Sequence, residues 1–247
     1  MRTDPNKFVR CRATDFYSVI APFYECLVGP FLRPVRKGAC RAAVSCGCGR
    51  TLDIGCGTGK QVQMLAQHGL LSVGVDLSPA MLSRALSSEH PGASFALADA
   101  RNLPFAAESF DCILISLALH EMDYSTALSA VNDALRVLTT NGKLILFDYV
   151  CGRDFLSRLS LCLLHVVERM AGKRHFKNFR FFMKQGGLEG FVRQFGLKVV
   201  FRRKYFGGST ALLITEKGAG ARLDAAGPRI LCCPWQPDPF TCGTMID

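Results

Sequence analysis

Short apolar runs alternate with amphipathic segments between residues 51 and 149, and this alternation constrains the fold more than any other feature of the sequence. The apolar runs have the length of buried strands; they are residues 51–54, 72–75, 93–98, 110–116 and 143–149. The segments with apolar residues at helical spacing are residues 60–68, 79–86 and 125–138. Strand–helix repetition of this kind is typical of βαβ units around a parallel sheet. We therefore predict an α/β fold whose strands end at one common edge, where ligands of such sheets bind.

The later part of the chain departs from this alternation. Residues 155–170 predict a helix that is apolar nearly all round; basic and aromatic residues follow, and a second helix is predicted at residues 188–195. Two strand runs then flank Gly207-Gly208, a link that is typical of a hairpin. We therefore predict an antiparallel pair that extends the parallel sheet. The pair consists of residues 197–206 and 210–216.

The formal net charge is +10, and the charges are unevenly distributed. Residues 51–150 carry 5 Lys and Arg against 10 Asp and Glu, whereas residues 169–204 carry 11 against 1. An acidic middle between basic segments does not fit a nucleic-acid coat protein. No apolar run approaches the roughly 18 residues that cross a bilayer, and the N-terminus lacks the apolar core of a secretory signal. We expect a cytoplasmic protein whose 12 cysteines are reduced.

The motif LDIGCGTGK, residues 52–60, follows the first predicted strand and opens the first helix. Its glycines, Gly55, Gly57 and Gly59, allow a ligand to approach the backbone closely, and the helix N-terminus offers free amides to polar ligand groups. The same trio occurs in ordinary tight strand-to-helix turns. It therefore predicts a nucleotide-type site only together with its surroundings.

Two acidic residues stand at the ends of the next two strands, in register with the glycines. Asp76 comes 21 residues after Gly55, the distance at which a carboxylate accepts hydrogen bonds from both ribose hydroxyls. Asp99 ends the third strand, where it could accept from an adenine amino group while the amide of Ala100 faces the ring. Each aspartate alone would also fit the cap of a following turn. Together with the glycines, they predict an adenosine-binding site.

Five motifs in order resemble those of class I S-adenosylmethionine-dependent methyltransferases: LDIGCGTGK, VGVDLSPAML, ALADARNLPF, FDCILISLALHEM and LRVLTTNGKLILFDY. Over about residues 14–216 the chain is similar to the small-molecule branch that includes quinone-biosynthesis C-methyltransferases. The opening YSVIAPFYE resembles the start of that branch, with Ser18 and Glu25 in place of two aspartates. The resemblance implies a Rossmann-like methyltransferase fold, a mostly parallel seven-stranded sheet with an antiparallel last strand, and S-adenosylmethionine as the cofactor.

The resemblance also implies a cofactor site built from the ends of these strands. The first strand and the glycines would hold the methionine part, the second strand end the ribose, the third the adenine, and the fourth the floor near the sulfonium. Two tyrosines of the N-terminal helix would cover the cofactor, although half-buried helix packing explains them nearly as well. The implied set is Asp53, Gly55, Gly57, Gly59, Asp76, Leu77, Asp99, Ala100, Ser116, Tyr17 and Tyr24.

Two other functions stay open on the sequence. An NAD-type oxidoreductase would carry G-x-G-x-x-G, but here Gly59 comes one residue early and Lys60 occupies the third glycine position. The acidic middle of the chain also suits a cationic sulfonium better than a pyrophosphate. A non-catalytic S-adenosylmethionine-binding regulator would carry the same motifs.

His120 is the candidate catalytic residue. In-line displacement at a sulfonium methyl needs alignment and desolvation, and proximity of this kind is worth roughly 7–11 kcal/mol. A base is needed only when the acceptor must lose a proton. His120 follows the fourth strand in LALHEM, where we expect it at the rim near the methyl group, and imidazole titrates near neutral pH. A histidine that orients a helix start or packs beneath the cofactor is an equal alternative.

The periodicity and the resemblance together predict three regions. Residues 1–50 form an N-terminal helical cap, residues 51–217 form the methyltransferase domain with a substrate lid at residues 153–187, and residues 218–247 form a flexible tail. The lid joins an apolar helix to the run KRHFKNFRFFMK. It fits an apolar pocket with a basic rim, a surface that docks on an anionic membrane, or a solvated basic face; nucleic-acid contact is less favoured. We expect a small, largely apolar acceptor and a cytoplasmic or peripherally membrane-associated enzyme.

The cysteine spacing predicts no metal site. Cys46-Gly47-Cys48 is too tight for the C-x2–4-C spacing of structural zinc sites, and Cys56 fits a small filler of the glycine loop. The cysteines also do not match those of arsenite methyltransferases, a related branch.

Overall fold

A computed structural model of the chain describes residues 21–87, 90–152 and 154–218. Within them, seven strands form one sheet in the order β3-β2-β1-β4-β5-β7-β6. The strands are β1 Arg50–Ile54, β2 Leu71–Asp76, β3 Ala93–Leu97, β4 Phe110–Ser116, β5 Leu138–Tyr149, β6 Lys198–Tyr205 and β7 Thr210–Glu216. Strands β1 to β5 pair in parallel, and β7 runs antiparallel to both β5 and β6. The predicted α/β class, with a mostly parallel seven-stranded sheet, is confirmed.

Helices pack on both faces of this sheet. They are α1 Tyr24–Leu27, α2 Gly29–Ser45, α3 Lys60–Gln67, α4 Pro79–Leu86, α5 Tyr124–Val137, α6 Phe155–Met170, α7 Lys173–Lys184 and α8 Gly187–Gln194. Successive residues of β4 point to opposite faces, as the two-residue period of a strand requires. Ile113 therefore joins one apolar core with α5 and α8, whereas Leu114 joins a second core with α2.

Local sequence signals explain most element boundaries. The side chain of Ser78 accepts a hydrogen bond from the N–H of Met81 and caps α4, whose first residue is Pro79. β5 begins earlier than predicted, at Leu138, because the chain passes from α5 directly into extended backbone. Pairing with β4 is interrupted after Leu138 and resumes at Lys143, so the residues between them form a bulge in the strand.

Helix α7 was not predicted, because its basic and aromatic sequence was assigned only to the lid. The helix is nevertheless amphipathic, since Phe179 and Phe182 are buried while Lys173, Lys177 and Lys184 are exposed. It lies within the segment that the sequence analysis assigned to the lid.

Some predictions fall outside the described residues. Tyr17 is one of them, and so is the predicted tail apart from Gly218. Among the residues that are described, no helix is both long and apolar enough to cross a membrane.

Candidate functional site

The carboxyl ends of β1 and β4 border a crevice at the point where the strand order reverses. β1 pairs with β2 on one side and with β4 on the other, which is where open α/β sheets bind ligands. The crevice is narrow, because a Cβ on Gly55 would lie 3.1 Å from the Cβ of Ala118.

The backbone turns sharply where β4 ends. The predicted site residue Ser116 is the last residue of β4, and Leu117 follows with a φ of 52°. This left-handed conformation is uncommon for a residue with a side chain. A hydrogen bond of 2.7 Å from the N–H of Leu117 to the carbonyl of Phe147 holds it in place. Strained backbone of this kind clusters at ligand sites.

The three glycines of the motif have positive φ but different surroundings. A Cβ on Gly59 would lie 2.6 Å from ring carbons of Phe95 and 2.8 Å from the Cβ of Ala85, so packing requires glycine there. A Cβ on Gly57 would meet no atom within 4 Å. Gly57 therefore borders open space that a ligand can occupy, whereas Gly59 serves the contact between the loop, β3 and α4.

Asp76 ends β2 and holds the glycine loop. Its Oδ2 accepts from the N–H of Gly57 at 2.7 Å, and its Oδ1 accepts from the N–H of Ser78 at 2.8 Å. A carboxylate can accept about four hydrogen bonds, so these contacts are compatible with further bonds to ligand hydroxyls. Leu77, the next predicted site residue, has an exposed side chain.

Asp53 lies on β1 and is buried, with a relative exposure of 3%. Its Oδ1 accepts no hydrogen bond from the part of the chain that the structure describes. Burial raises the pKa of Asp53 to about 7; the positive charge of Arg36 lowers this pKa, and the negative charge of Asp76 raises it further. A buried carboxylate oxygen without a donor is costly, so this position favours a ligand group that carries N–H or positive charge.

The N-terminal helices are anchored to the glycine loop through Glu25. Arg36 donates to both carboxylate oxygens, at 2.7 and 2.9 Å, and the hydroxyl of Thr58 donates to Oε1. Burial opposes ionisation of Glu25, yet Arg36 and Thr58 lower the pKa of this carboxyl. Sequence reasoning noted Glu25 only as a departure from the family pattern and missed this clamp.

Tyr24 lies half-buried beside the crevice. Burial raises the pKa of its phenol, and the carboxylates of Glu121, Glu25 and Asp76 act in the same direction. Its charged neighbours therefore come from both the β2 and the β4 ends of the site. That Tyr24 covers a bound ligand stays a prediction.

Asp99 follows β3 and forms a two-pronged ion pair with Arg101. Nη2 of Arg101 lies 2.6 Å from Oδ2, and its Nε lies 3.0 Å from both carboxylate oxygens. Arg101 lowers the pKa of Asp99, although partial burial opposes this. Ala100, between them, is half-buried against the core. A ligand amino group would share the Asp99 carboxylate with Arg101, a partner that the sequence analysis did not foresee.

His120 lies deeper than the rim position that the sequence suggested, because helices α6 and α7 fold over it. Its side chain is 3% exposed; Nδ1 lies 2.8 Å from Oδ1 of Asp148, and Nε2 lies 3.7 Å from Oε2 of Glu168. Burial alone would lower the pKa of His120, but the carboxylates of Asp148, Glu121 and Glu168 outweigh burial and raise it to about 9.

Helices α6 and α7 close over this histidine. Glu168 of α6 accepts from the hydroxyl of Tyr149 at 2.5 Å and from the imidazole of His175 on α7. Phe179 packs edge-on, with its ring centroid 6.1 Å from that of His120 and 5.0 Å from that of Tyr149. This network was not predicted from the sequence. The available signal was Glu168, the one acidic residue in an otherwise largely apolar helix.

Residues 52–146 match the model of a family described as a methyltransferase domain. A protein from Synechocystis sp. named as an uncharacterized methyltransferase is 38% identical over 99 residues, which cover 40% of this chain and 46% of that protein. A demethylmenaquinone methyltransferase from Tropheryma whipplei is 31% identical over 139 residues, which cover 55% of this chain and 57% of that protein. The chain therefore spans about half the length of these curated relatives.

Solved structures share the fold. An O-methyltransferase family protein from Burkholderia thailandensis has a TM-score of 0.62 at 20% identity, covering 81% of this chain and 60% of that one. The N-methyltransferase NodS from Bradyrhizobium japonicum, solved in complex with S-adenosylhomocysteine, has a TM-score of 0.55 at 19% identity, covering 76% of this chain and 88% of that one. These likenesses confirm the predicted Rossmann-like methyltransferase fold.

Proposed function

We propose that the chain, whose residues 52–146 form a class I methyltransferase domain, transfers a methyl group from S-adenosylmethionine to a small molecule. The observation that carries this proposal is the crevice at the ends of β1 and β4. There Asp76 holds the backbone of Gly57 beside open space, and Asp53, whose buried carboxylate interacts electrostatically with Asp76, lies on the neighbouring strand β1.

These residues fit the charged and polar parts of S-adenosylmethionine. The cofactor's amino group would give Asp53 Oδ1 a donor, and its ribose hydroxyls would donate to Asp76. Gly57 leaves room for the part of the cofactor that lies against the backbone of the glycine loop. An NAD-type oxidoreductase fits less well, because a pyrophosphate would approach the carboxylates of Asp53 and Asp76 and be repelled.

S-adenosylmethionine, when bound, supplies a methyl group attached to a positively charged sulfur. Because of that charge, the sulfur is a leaving group that needs no protonation. The chain therefore has to align the reactants and exclude water. The turn at Leu117 and the narrow gap between Gly55 and Ala118 restrict the crevice. Helix α7 closes it from the lid side, since the side-chain amide of Asn178 donates to the carbonyl of Glu121 at 2.7 Å.

For His120 we favour a positioning role. Its Nδ1 is engaged by Asp148, its Nε2 faces Glu168, and Phe179 covers the ring. Both ring nitrogens therefore already face carboxylates, which leaves neither of them free to take a proton from an acceptor. That His120 takes a proton from the acceptor stays a prediction, and it requires the pairing with Glu168 to open.

We also propose that the acceptor is largely apolar and is reached at an anionic membrane surface. Helix α6 exposes large apolar side chains, with Phe155 77%, Leu156 66% and Leu159 50% exposed. Helix α7 adds a basic face, made of Lys173, Arg174, Lys177, Arg180 and Lys184. Each Lys or Arg near an anionic surface contributes about 1 kcal/mol to binding. The Tropheryma relative is named for a demethylmenaquinone acceptor, which is the first acceptor class to assay.

Formation of S-adenosylhomocysteine tests the activity. The purified chain is incubated with S-adenosylmethionine and a reduced demethylated naphthoquinone, and the product is followed by mass spectrometry. We expect acceptor-dependent turnover that Asp76→Asn reduces. Binding of S-adenosylmethionine without turnover across quinol, phenol, amine and thiol acceptors would instead favour a regulator.

Co-sedimentation with vesicles tests the membrane surface. We expect binding to phosphatidylcholine vesicles only when they contain phosphatidylglycerol, and loss of binding at 0.5 M salt or in the double variant Lys177→Glu, Lys184→Glu. The matched control is Lys198→Glu, Lys204→Glu, which reverses two exposed charges on the β6 edge and should bind as the wild type does. Equal loss in both variants, or binding without anionic lipid, would contradict this part of the proposal.

A further inference from the structure

Three ligating side chains converge beneath the lid. His120, Glu168 and His175 each offer one ligand atom, and these atoms all lie within 4.8 Å of one another. Nε2 of His120 lies 3.7 Å from Oε2 of Glu168, and Nε2 of His175 contacts the same oxygen. Their side chains are 3%, 8% and 15% exposed. They come from three separate elements: the loop after β4, α6 and α7.

We propose that His120, Glu168 and His175 bind a divalent transition-metal cation, with Zn²⁺ as the cation to test. This site joins the lid to the domain, and it does not depend on the methyl transfer proposed above.

The donor set selects the class of cation. Two imidazole nitrogens and one carboxylate oxygen are the ligands of zinc and of other borderline divalent ions, whereas magnesium and calcium prefer oxygen alone. Tetrahedral zinc with bonds of about 2.0–2.1 Å places its ligand atoms about 3.3 Å apart. The 3.7 Å between His120 Nε2 and Glu168 Oε2 is close to that spacing. His175, which contacts Glu168 directly, has to move outward to admit the ion.

The residues that contact the three proposed ligands hold them in the orientation that is usual in metal sites. Asp148 accepts a hydrogen bond of 2.8 Å from Nδ1 of His120, which directs Nε2 toward Glu168. Asp148 is itself fixed by hydrogen bonds from the backbone N–H groups of Leu119 and Tyr149. Such a carboxylate–histidine pair is the usual support of a metal-bound imidazole. The hydroxyl of Tyr149 holds the second oxygen of Glu168, so that Oε2 is the oxygen presented to the site.

Charge balance supports the same assignment. The carboxylates of Asp148 and Glu168 are 1% and 8% exposed, and buried charges are retained when they are paired or bind a metal. One divalent cation would balance both carboxylates. Phe179 and Tyr149 form an apolar wall beside the ligands and keep water from competing. The cation would therefore tie α6 and α7 to the loop that carries His120.

Metal titration of the full chain tests the proposal. The purified protein is stripped with a chelator, desalted, and titrated with Zn²⁺ by calorimetry and with Co²⁺ by absorption spectroscopy. We expect one tight equivalent of Zn²⁺ and d–d bands of a nitrogen and oxygen site, without thiolate charge-transfer bands. The spectrum separates this site from the cysteines, of which the chain has 12. Zn²⁺ should also raise the Tm, and Mg²⁺ should not.

Variants assign the ligands. Glu168→Gln and His175→Gln should each weaken the Zn²⁺ equivalent at least 100-fold and remove the Tm increase. The matched control is His165→Gln, because His165 lies on the same helix as Glu168 and contacts Phe179 but is not among the three ligands. This variant should bind Zn²⁺ as the wild type does.

Three results would overturn the site. These are a wild type without a tight equivalent, a cobalt spectrum with thiolate bands only, and a loss in His165→Gln equal to that in Glu168→Gln. The wild-type titration and spectrum decide the matter even if a lid variant fails to fold, which circular dichroism would reveal.

Discussion

At the scale of single residues, the strongest prediction concerns Asp76. Asp76→Asn removes the negative charge that holds Gly57 and that we expect to meet the ribose. Hydrogen bonds to charged groups contribute about 1.5–3 kcal/mol, so the Kd for S-adenosylmethionine should rise roughly 10- to 100-fold in calorimetry. Asp111→Asn is the control, because Asp111 pairs with Arg50 at the opposite end of the strands. An equal effect of both substitutions would contradict the assignment.

The glycine loop gives a second prediction, since two of its glycines serve different purposes. Gly59→Ala would push into Phe95 and Ala85, and overpacking of this kind costs about 1–3 kcal/mol of unfolding free energy before the positive φ is counted. The Cβ that Gly57→Ala adds meets no protein atom within 4 Å, so the free energy of unfolding should fall only by the about 1–2 kcal/mol that a left-handed backbone costs a residue with a side chain. The same variant should weaken cofactor binding at least tenfold. Urea unfolding and calorimetry measure the two effects. Wild-type affinity in Gly57→Ala would mean that the ligand does not use this space.

Asp53 predicts a pH dependence of binding. Its pKa is raised to about 7 chiefly by burial, so the carboxyl is mostly protonated at pH 6 and mostly ionised at pH 8. A cationic ligand prefers the ionised form, and the ionised fraction rises from about one tenth to about nine tenths over this range. S-adenosylmethionine should therefore bind about tenfold more tightly at pH 8 than at pH 6. In Asp53→Asn this contribution should vanish; an unchanged profile would assign the dependence to another group.

At the scale of elements, the ion pair that joins α1 and α2 to the glycine loop should stabilise the fold. Arg36→Met leaves Glu25 without its bidentate partner in a site where the two side chains are 14% and 30% exposed. We expect a loss of about 1–3 kcal/mol in the free energy of unfolding. Arg202→Met breaks the more exposed pair with Glu189 and should cost at most about 1 kcal/mol. Equal losses in urea unfolding would show that the clamp is ordinary surface pairing.

The strands and the crevice could be predicted because they depend on local patterns. β4 was predicted at its observed bounds, 110–116, because the continuous apolar run 112–115 lies within it. Asp76 ends β2 and Gly57 lies in the loop that follows β1, so the parallel topology alone brings them to one edge. The Ser78-Pro79 start of α4 was equally readable, because a capping hydroxyl followed by proline is a local signal.

The lid network could not be predicted, because it depends on how distant elements pack. His120 and Asp148 lie on neighbouring strand ends, but Glu168 and His175 reach them only after α6 and α7 fold back over the sheet. The run that contains His175 was interpreted by its charge, and its helical face, buried at Phe179, went unnoticed. No periodicity in the sequence indicates which polar residue a helix will bury.

At the scale of the whole molecule, the crevice is bordered by segments from both ends of the domain. The N-terminal helices reach it through Glu25, which accepts a hydrogen bond from Thr58 of the glycine loop, and α7 reaches it through Asn178, which donates to the loop after β4. The sheet supplies the acidic crevice between them, and the basic face of α7 lies outside. This separation of charge suits a cationic cofactor inside and an anionic surface outside.

The most direct test of the central claim is a calorimetric titration of the purified chain with S-adenosylmethionine, with NAD as the comparison ligand. We predict one equivalent of S-adenosylmethionine with a Kd of about 1–100 μM, and no saturable heat with NAD. A chain that keeps its fold by circular dichroism yet ignores S-adenosylmethionine at millimolar concentration would contradict the claim, as would saturable binding of NAD alone.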